Sequence, residues 1–158
     1  MPEIFFYHLE KTPLQQALPE LLEKVVQRGW RAYVHFGEGG HEDDKIDTLN
    51  AHLWGYRADS FLAHGLEGND DAAQALDARQ PVLLGRSGDM VNSPQCYVSV
   101  SPVAMPDVSA MERCLLVFEG RDDEHIGWAR ATWKRLQAEG ASLAYWKQNE
   151  QGRWERAQ

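Results

Sequence analysis

The chain is poor in cysteine, has no long apolar run and carries no surplus of positive charge. Two cysteines in 158 residues, Cys96 and Cys114, cannot build a disulfide framework. Both stand in apolar, strand-like surroundings and read as small core residues of a reducing cytosol. A spanning helix needs a run of about 18 or more apolar residues, and none occurs. The start, Met1 to His8, has neither a basic n-region nor a small-residue cleavage site, so it is not a secretory signal. These absences predict a cytoplasmic protein with no membrane partner. The net charge is −8, whereas domains that grip nucleic acid directly present a basic surface. This chain should repel phosphate backbones on average, so work near DNA would run through proteins that touch DNA.

The usual signatures of catalysis are also missing. In α/β proteins the turn after the first strand is the common place for a phosphate loop. Here that turn reads Leu9-Glu-Lys-Thr-Pro13. Lys11-Thr12 is preceded by no glycine, so the backbone amides cannot wrap a phosphate, and Glu10 would repel one. Gly37-Glu-Gly-Gly40 joins a strand to a helix but lacks a following Lys-Ser/Thr, and His41-Glu-Asp-Asp44 makes the helix start acidic. None of the six histidines forms a His-x-x-x-His pair or stands at ligand spacing from a cysteine. His41 with Asp43 and Asp44 reads as a solvated helix start, not an ion site. No Gly-x-Ser-x-Gly elbow occurs. No catalytic residue, metal or cofactor is expected. The competing reading is a small α/β nucleotide-binding enzyme, a phosphotransferase or hydrolase, with its site at the strand ends.

What is present is an ordinary globular composition, 43% apolar and 25% charged. Strands are predicted at residues 3–8, 30–36, 81–85, 96–101, 113–119 and 141–148, from β-branched and aromatic runs. Helices are predicted at 12–28, 42–53 and 122–139. Pro19 predicts a bend near Leu18 in the first of them. Residues 67–80 read as a polar loop with at most one helical turn, and 107–112 as a short helix or turn. Strands alternating with helices predict a single-domain, Rossmann-like three-layer α/β fold. Its sheet should be mainly parallel and should lack a phosphate-binding loop. The domain is expected over residues 1–150, with a polar C-terminal tail at 151–158 that is apolar only at Trp154.

Two features point to docking. The first is Ala51-His-Leu-Trp-Gly-Tyr-Arg-Ala-Asp-Ser-Phe-Leu-Ala-His-Gly65, which packs Trp54, Tyr56 and Phe61 into a stretch without clean helical or strand periodicity. Such rings either plug the end of a core or face a partner. The second is the helix at 122–139. It begins acidic with Asp122, Asp123 and Glu124, and its later turns carry Arg130, Trp133 and Lys134. Arg130 and Lys134 are four residues apart, so they share a helix face with Trp133 beside them. In an acidic chain this basic-aromatic patch suits an acidic peptide with an apolar end. Dipole complementarity with an indole packed on the sheet fits the same spacing.

The Phe5-Phe-Tyr-His8 start, the block from Ala51 to Gly65, and Trp133-Lys134 leading to Gly140 and Tyr145-Trp146 resemble the chi subunit of bacterial DNA polymerase III holoenzyme. The resemblance spans nearly the whole chain and is most specific in the middle block. It implies a non-catalytic adaptor of the clamp-loader assembly, with a nucleotide-binding-like fold whose phosphate loop is absent. It further implies two partners: the psi subunit, and the acidic, apolar C-terminal tail of single-stranded-DNA-binding protein. Carried over by position, Arg130, Trp133 and Lys134 match the tail-binding helix, with Trp133 where a tyrosine can stand. Trp54 and Phe61 match the psi-contacting block.

Overall fold

The computed structural model describes residues 2–55, 62–68 and 70–158. In chain order the elements are β1 (Glu3–Leu9), α1 (Leu14–Gln27), β2 (Ala32–His35), α2 (Gly40–Leu53), β3 (Gly65–Leu66) and α3 (Asp71–Asp77). They continue with β4 (Val82–Gly85), β5 (Cys96–Ser99), β6 (Arg113–Glu119), α4 (Asp123–Ala138), β7 (Ser142–Gln148) and β8 (Trp154–Arg156). Among the described residues, eight strands form one sheet in the order β3-β4-β2-β5-β6-β1-β7-β8. Every pairing is parallel except β7 with β8. This is the mainly parallel, three-layer α/β architecture that the alternation predicts.

The two faces of the sheet follow the two-residue period of the strands. Tyr7 and Leu9 of β1 with Leu115 and Val117 of β6 point to the layer of α1 and α2. Ile4 and Phe6 of β1 with Cys114, Leu116 and Phe118 of β6 point to α4. Met105, Val108 and Met111, from the segment between β5 and β6, cover the rest of that second face. Central strands covered on both sides read as continuous apolar runs, as Cys114 to Phe118 does. Cys96 and Cys114 stand on neighbouring strands but belong to opposite layers, so no bridge can join them. Burial pushes the Cys114 thiol up to about 12, which keeps it unreactive.

Three local expectations change, at residues 67–80, at β3 and in the C-terminal tail. α1 continues as one helix through Pro19. A proline inside a helix costs about 3 kcal/mol, while each buried leucine or valine contributes roughly 1.5–3 kcal/mol. Leu18, Leu21, Leu22 and Val25 all bury on the sheet, so packing wins. Residues 67–80 are not a loop with one turn: α3 occupies seven of them, started by Asp70, whose carboxylate accepts the Ala73 amide at 2.7 Å. The two residues of β3 add an unforeseen edge strand on β4. The polar tail adds β8, which pairs with β7 and lays Trp154 edge-on against Tyr7 with centroids 5.0 Å apart. Residues 107–112 form a turn, closed by the Met111 amide donating to the Val108 carbonyl at 2.9 Å.

Candidate functional site

α4 positions the basic-aromatic patch. Asp122 caps its start by accepting from the amides of Glu124 and His125 at 3.1 and 3.3 Å. Gly140, at φ +78°, ends it in the left-handed conformation that glycine adopts without strain. Ala129, Thr132 and Leu136 bury against the sheet. Arg130, Trp133 and Lys134 therefore lie along one flank of the helix, over the carboxyl-terminal halves of β1, β6 and β7.

Beneath that flank is a pocket of about 410 Å³. Its floor is aromatic: Phe6, Phe118, Trp133 and Tyr145, with His8. Trp133 meets Phe6 edge-on at 5.1 Å between centroids and Tyr145 at 6.2 Å, and His8 stacks on Phe118 at 4.8 Å. Its rim is cationic: Arg130 and Lys134 from α4, Lys147 from β7. Among the described residues neither Arg130 nor Lys134 enters an ion pair. The three residues expected from the sequence thus line one concave site, with an apolar interior and open positive charge at its mouth.

Several lining residues escaped the sequence reading. β1 and β7 are parallel neighbours, with Phe6 in register with Tyr145 and His8 with Lys147. Alternation puts all four on the α4 side, and this period-two pairing was the available signal. His8 Nδ1 and the Tyr145 hydroxyl share a 2.6 Å hydrogen bond, while His8 Nε2 lies 3.7 Å from Glu10. A proton on Nε2 facing the carboxylate leaves Nδ1 to accept from the phenol. Burial lowers the His8 pKa, with Glu10 opposing and Lys147 reinforcing that shift. Ala157 and Gln158, which continue past β8, close the remaining side: the Ala157 amide donates to the Tyr145 carbonyl at 2.7 Å.

The sequence model of the DNA polymerase III chi subunit, HolC, matches residues 1–144. The chain belongs to the DNA polymerase III chi subunit family. A comparison with curated proteins gives no significant match. Family membership makes this an accessory polymerase subunit with a role in DNA replication.

The strand ends of this chi-family chain bear on the nucleotide reading. β1 leads to α1 on one face and β6 to α4 on the other, so the crevice between β1 and β6 is where such a sheet would hold a ligand. A cleft of about 340 Å³ is present there, lined by residues 9–13 and 119–121. Three of its amides are already used. Those of Glu10 and Lys11 donate to Gln148 Oε1 at 3.4 and 3.3 Å, and that of Gly120 donates to the Leu9 carbonyl at 2.7 Å. After β4 the amides of Arg86 and Ser87 converge on one oxygen of Glu67, at 3.1 and 3.0 Å. Burial pushes the Glu67 carboxyl up, but these bonds and those from the Ser87 and Tyr33 hydroxyls outweigh it and hold it below the usual range. At these strand ends the amides of Glu10, Lys11, Gly120, Arg86 and Ser87 thus have partners within the chain.

Trp54 stands at the end of α2, in the layer opposite α4, and is 57% exposed. Its ring lies 4.7 Å from that of His64. The preceding Leu53 and the later Leu62 are fully buried, so at this point the block divides its work: the leucines are core and the indole faces out. Phe61 lies outside the described residues. No helix among the described residues is long and apolar enough to cross a membrane.

Proposed function

We propose that this chi-family protein is a non-catalytic bridge in the clamp-loader assembly. The pocket under α4 takes the acidic, apolar-ended C-terminal tail of single-stranded-DNA-binding protein, and the sequence block that carries Trp54 and Phe61 holds the psi subunit. The observation that carries the first half is the combination of an aromatic floor with two cations, Arg130 and Lys134, that enter no ion pair among the described residues, on a chain of net charge −8. An apolar end group would bury against Trp133, Phe6 and Tyr145, and neighbouring carboxylates would meet the α4 rim. The exposed indole of Trp54 supports the second half.

The mechanism is tethering. Coated single-stranded DNA displays the tail in many copies, and linkage raises effective concentration, so a weak single contact retains the assembly. DNA is then reached only indirectly, in keeping with the negative charge of the chain. Calorimetric titration with the tail peptide tests this. Lys134→Glu replaces attraction by repulsion and should weaken binding more than about tenfold. Unchanged affinity removes the patch from the account. Thermal stabilisation by ATP or GTP in place of the peptide would favour an enzyme instead.

A further inference from the structure

The two rims of the pocket differ. On the α4 rim, Arg130 and Lys134 have no ion pair among the described residues. On the strand rim, Lys147 Nζ lies 3.5 Å from Glu10 Oε1, and His8 Nε2 lies 3.7 Å from the same oxygen. Glu10 directly follows β1, and the backbone there is held by Gln148, whose side-chain oxygen accepts the amides of Glu10 and Lys11. The Glu10 side chain is only 33% exposed. One of the protein's own carboxylates already stands where a ligand carboxylate would meet Lys147.

We propose that Glu10 is an internal competitor for the anionic ligand of this pocket. The inference rests on reading the pocket as an acidic-tail site. A ligand carboxylate arriving at the strand rim either displaces Glu10 or sits beside it. Displacement exchanges one ion pair for another and gains little. Sitting beside it sets two like charges against each other across one cation. In both cases Glu10 subtracts from the attraction that Arg130 and Lys134 supply. It therefore sets the affinity for acidic segments and leaves the affinity for neutral ones untouched. A contact tempered in this way exchanges readily, which suits a tether built from many displayed copies.

The test is calorimetry on the full chain with a short peptide of aspartates ending in phenylalanine, beside a control with serines in place of the aspartates. Glu10→Gln keeps the shape and removes the charge. It should raise affinity for the aspartate peptide about three- to fivefold at low salt, the worth of one exposed ion pair. The gain should shrink as salt rises and be absent for the serine peptide. Glu10→Ala should move affinity in the same direction, and Lys147→Ala should cost more in the Glu10→Gln background than in the wild type. Equal or weaker binding by Glu10→Gln, with Lys134→Glu still weakening binding more than about tenfold, overturns the competitor alone. No binding of the aspartate peptide to the wild type overturns the competitor and the acidic-tail reading together.

Discussion

His8 and Tyr145 face each other across β1 and β7 and share a hydrogen bond of 2.6 Å. The bond fixes the depth of the pocket, because both rings belong to its floor. Behind His8 stands Gly120. A Cβ there would overlap His8 Nε2 and come within 2.8 Å of the Leu9 carbonyl oxygen. Gly120 is therefore a clearance for the imidazole, not a flexible joint.

Gly120→Ala should push the His8 ring from its place and break its bond to Tyr145. Overpacking of this kind costs about 1–3 kcal/mol. The expected result is a lower melting temperature together with weaker binding of the acidic tail peptide. A variant with wild-type melting and wild-type affinity would show that the ring has room that the geometry denies.

Trp133 is half-buried between Phe6 and Tyr145, so it serves both core and pocket. Trp133→Ala should cost about 2 kcal/mol of stability, less than the truncation of a fully buried aromatic, and should lower tail affinity more than tenfold. Trp133→Tyr keeps an aromatic wall and should stay within about threefold of wild type. Denaturant melts and titrations on the same preparations separate the two effects.

The pH dependence of stability should carry a signature of His125. Burial pulls its pKa down to about 4, with Lys45 adding to the shift, so it stays neutral in the folded chain where an unfolded histidine takes up a proton. Near neutral pH both states are unprotonated and the group contributes nothing. As pH falls through about 6.5 the unfolded state gains protons first, and folding is penalised until the folded group titrates as well. The penalty approaches roughly 2–3 kcal/mol by pH 4. Burial lowers His35 in the same direction. His125→Asn should flatten the decline of stability between pH 6.5 and 4 relative to wild type. Parallel slopes would contradict the assignment.

Much of the fold can be read from the chain because its strongest signals are local and periodic. The run Arg113 to Glu119 and the capped stretch from Asp122 to Gly140 match β6 and α4 almost residue for residue. The failures have physical causes. α3 is short and polar, and its stop-start composition masks a helix that Asp70 initiates by capping. The edge strands β3 and β8 are two and three residues long, held by partners on β4 and β7 and not by their own propensity. Half of the pocket was legible for a similar reason. Arg130, Trp133 and Lys134 share one helix, whereas His8, Tyr145 and Lys147 meet them only through the pairing of β1 with β7. Glu10 entered as a residue that repels phosphate, and the structure adds that it neutralises Lys147.

Trp54→Ala separates docking from folding at the second surface. The side chain is largely exposed, so its removal should change stability by less than about 0.5 kcal/mol. Capture of the psi subunit should weaken several-fold in a pull-down or titration. A large drop in melting temperature would make the indole structural.

The most direct measurement is a nuclear magnetic resonance titration of the labelled chain with the acidic, apolar-ended tail peptide. Saturable shifts should concentrate at Phe6, His8, Trp133, Lys134 and Tyr145, with the Trp54 indole unmoved. Shifts centred on Trp54, or none at Trp133 and Tyr145 at saturation, would contradict the pocket assignment.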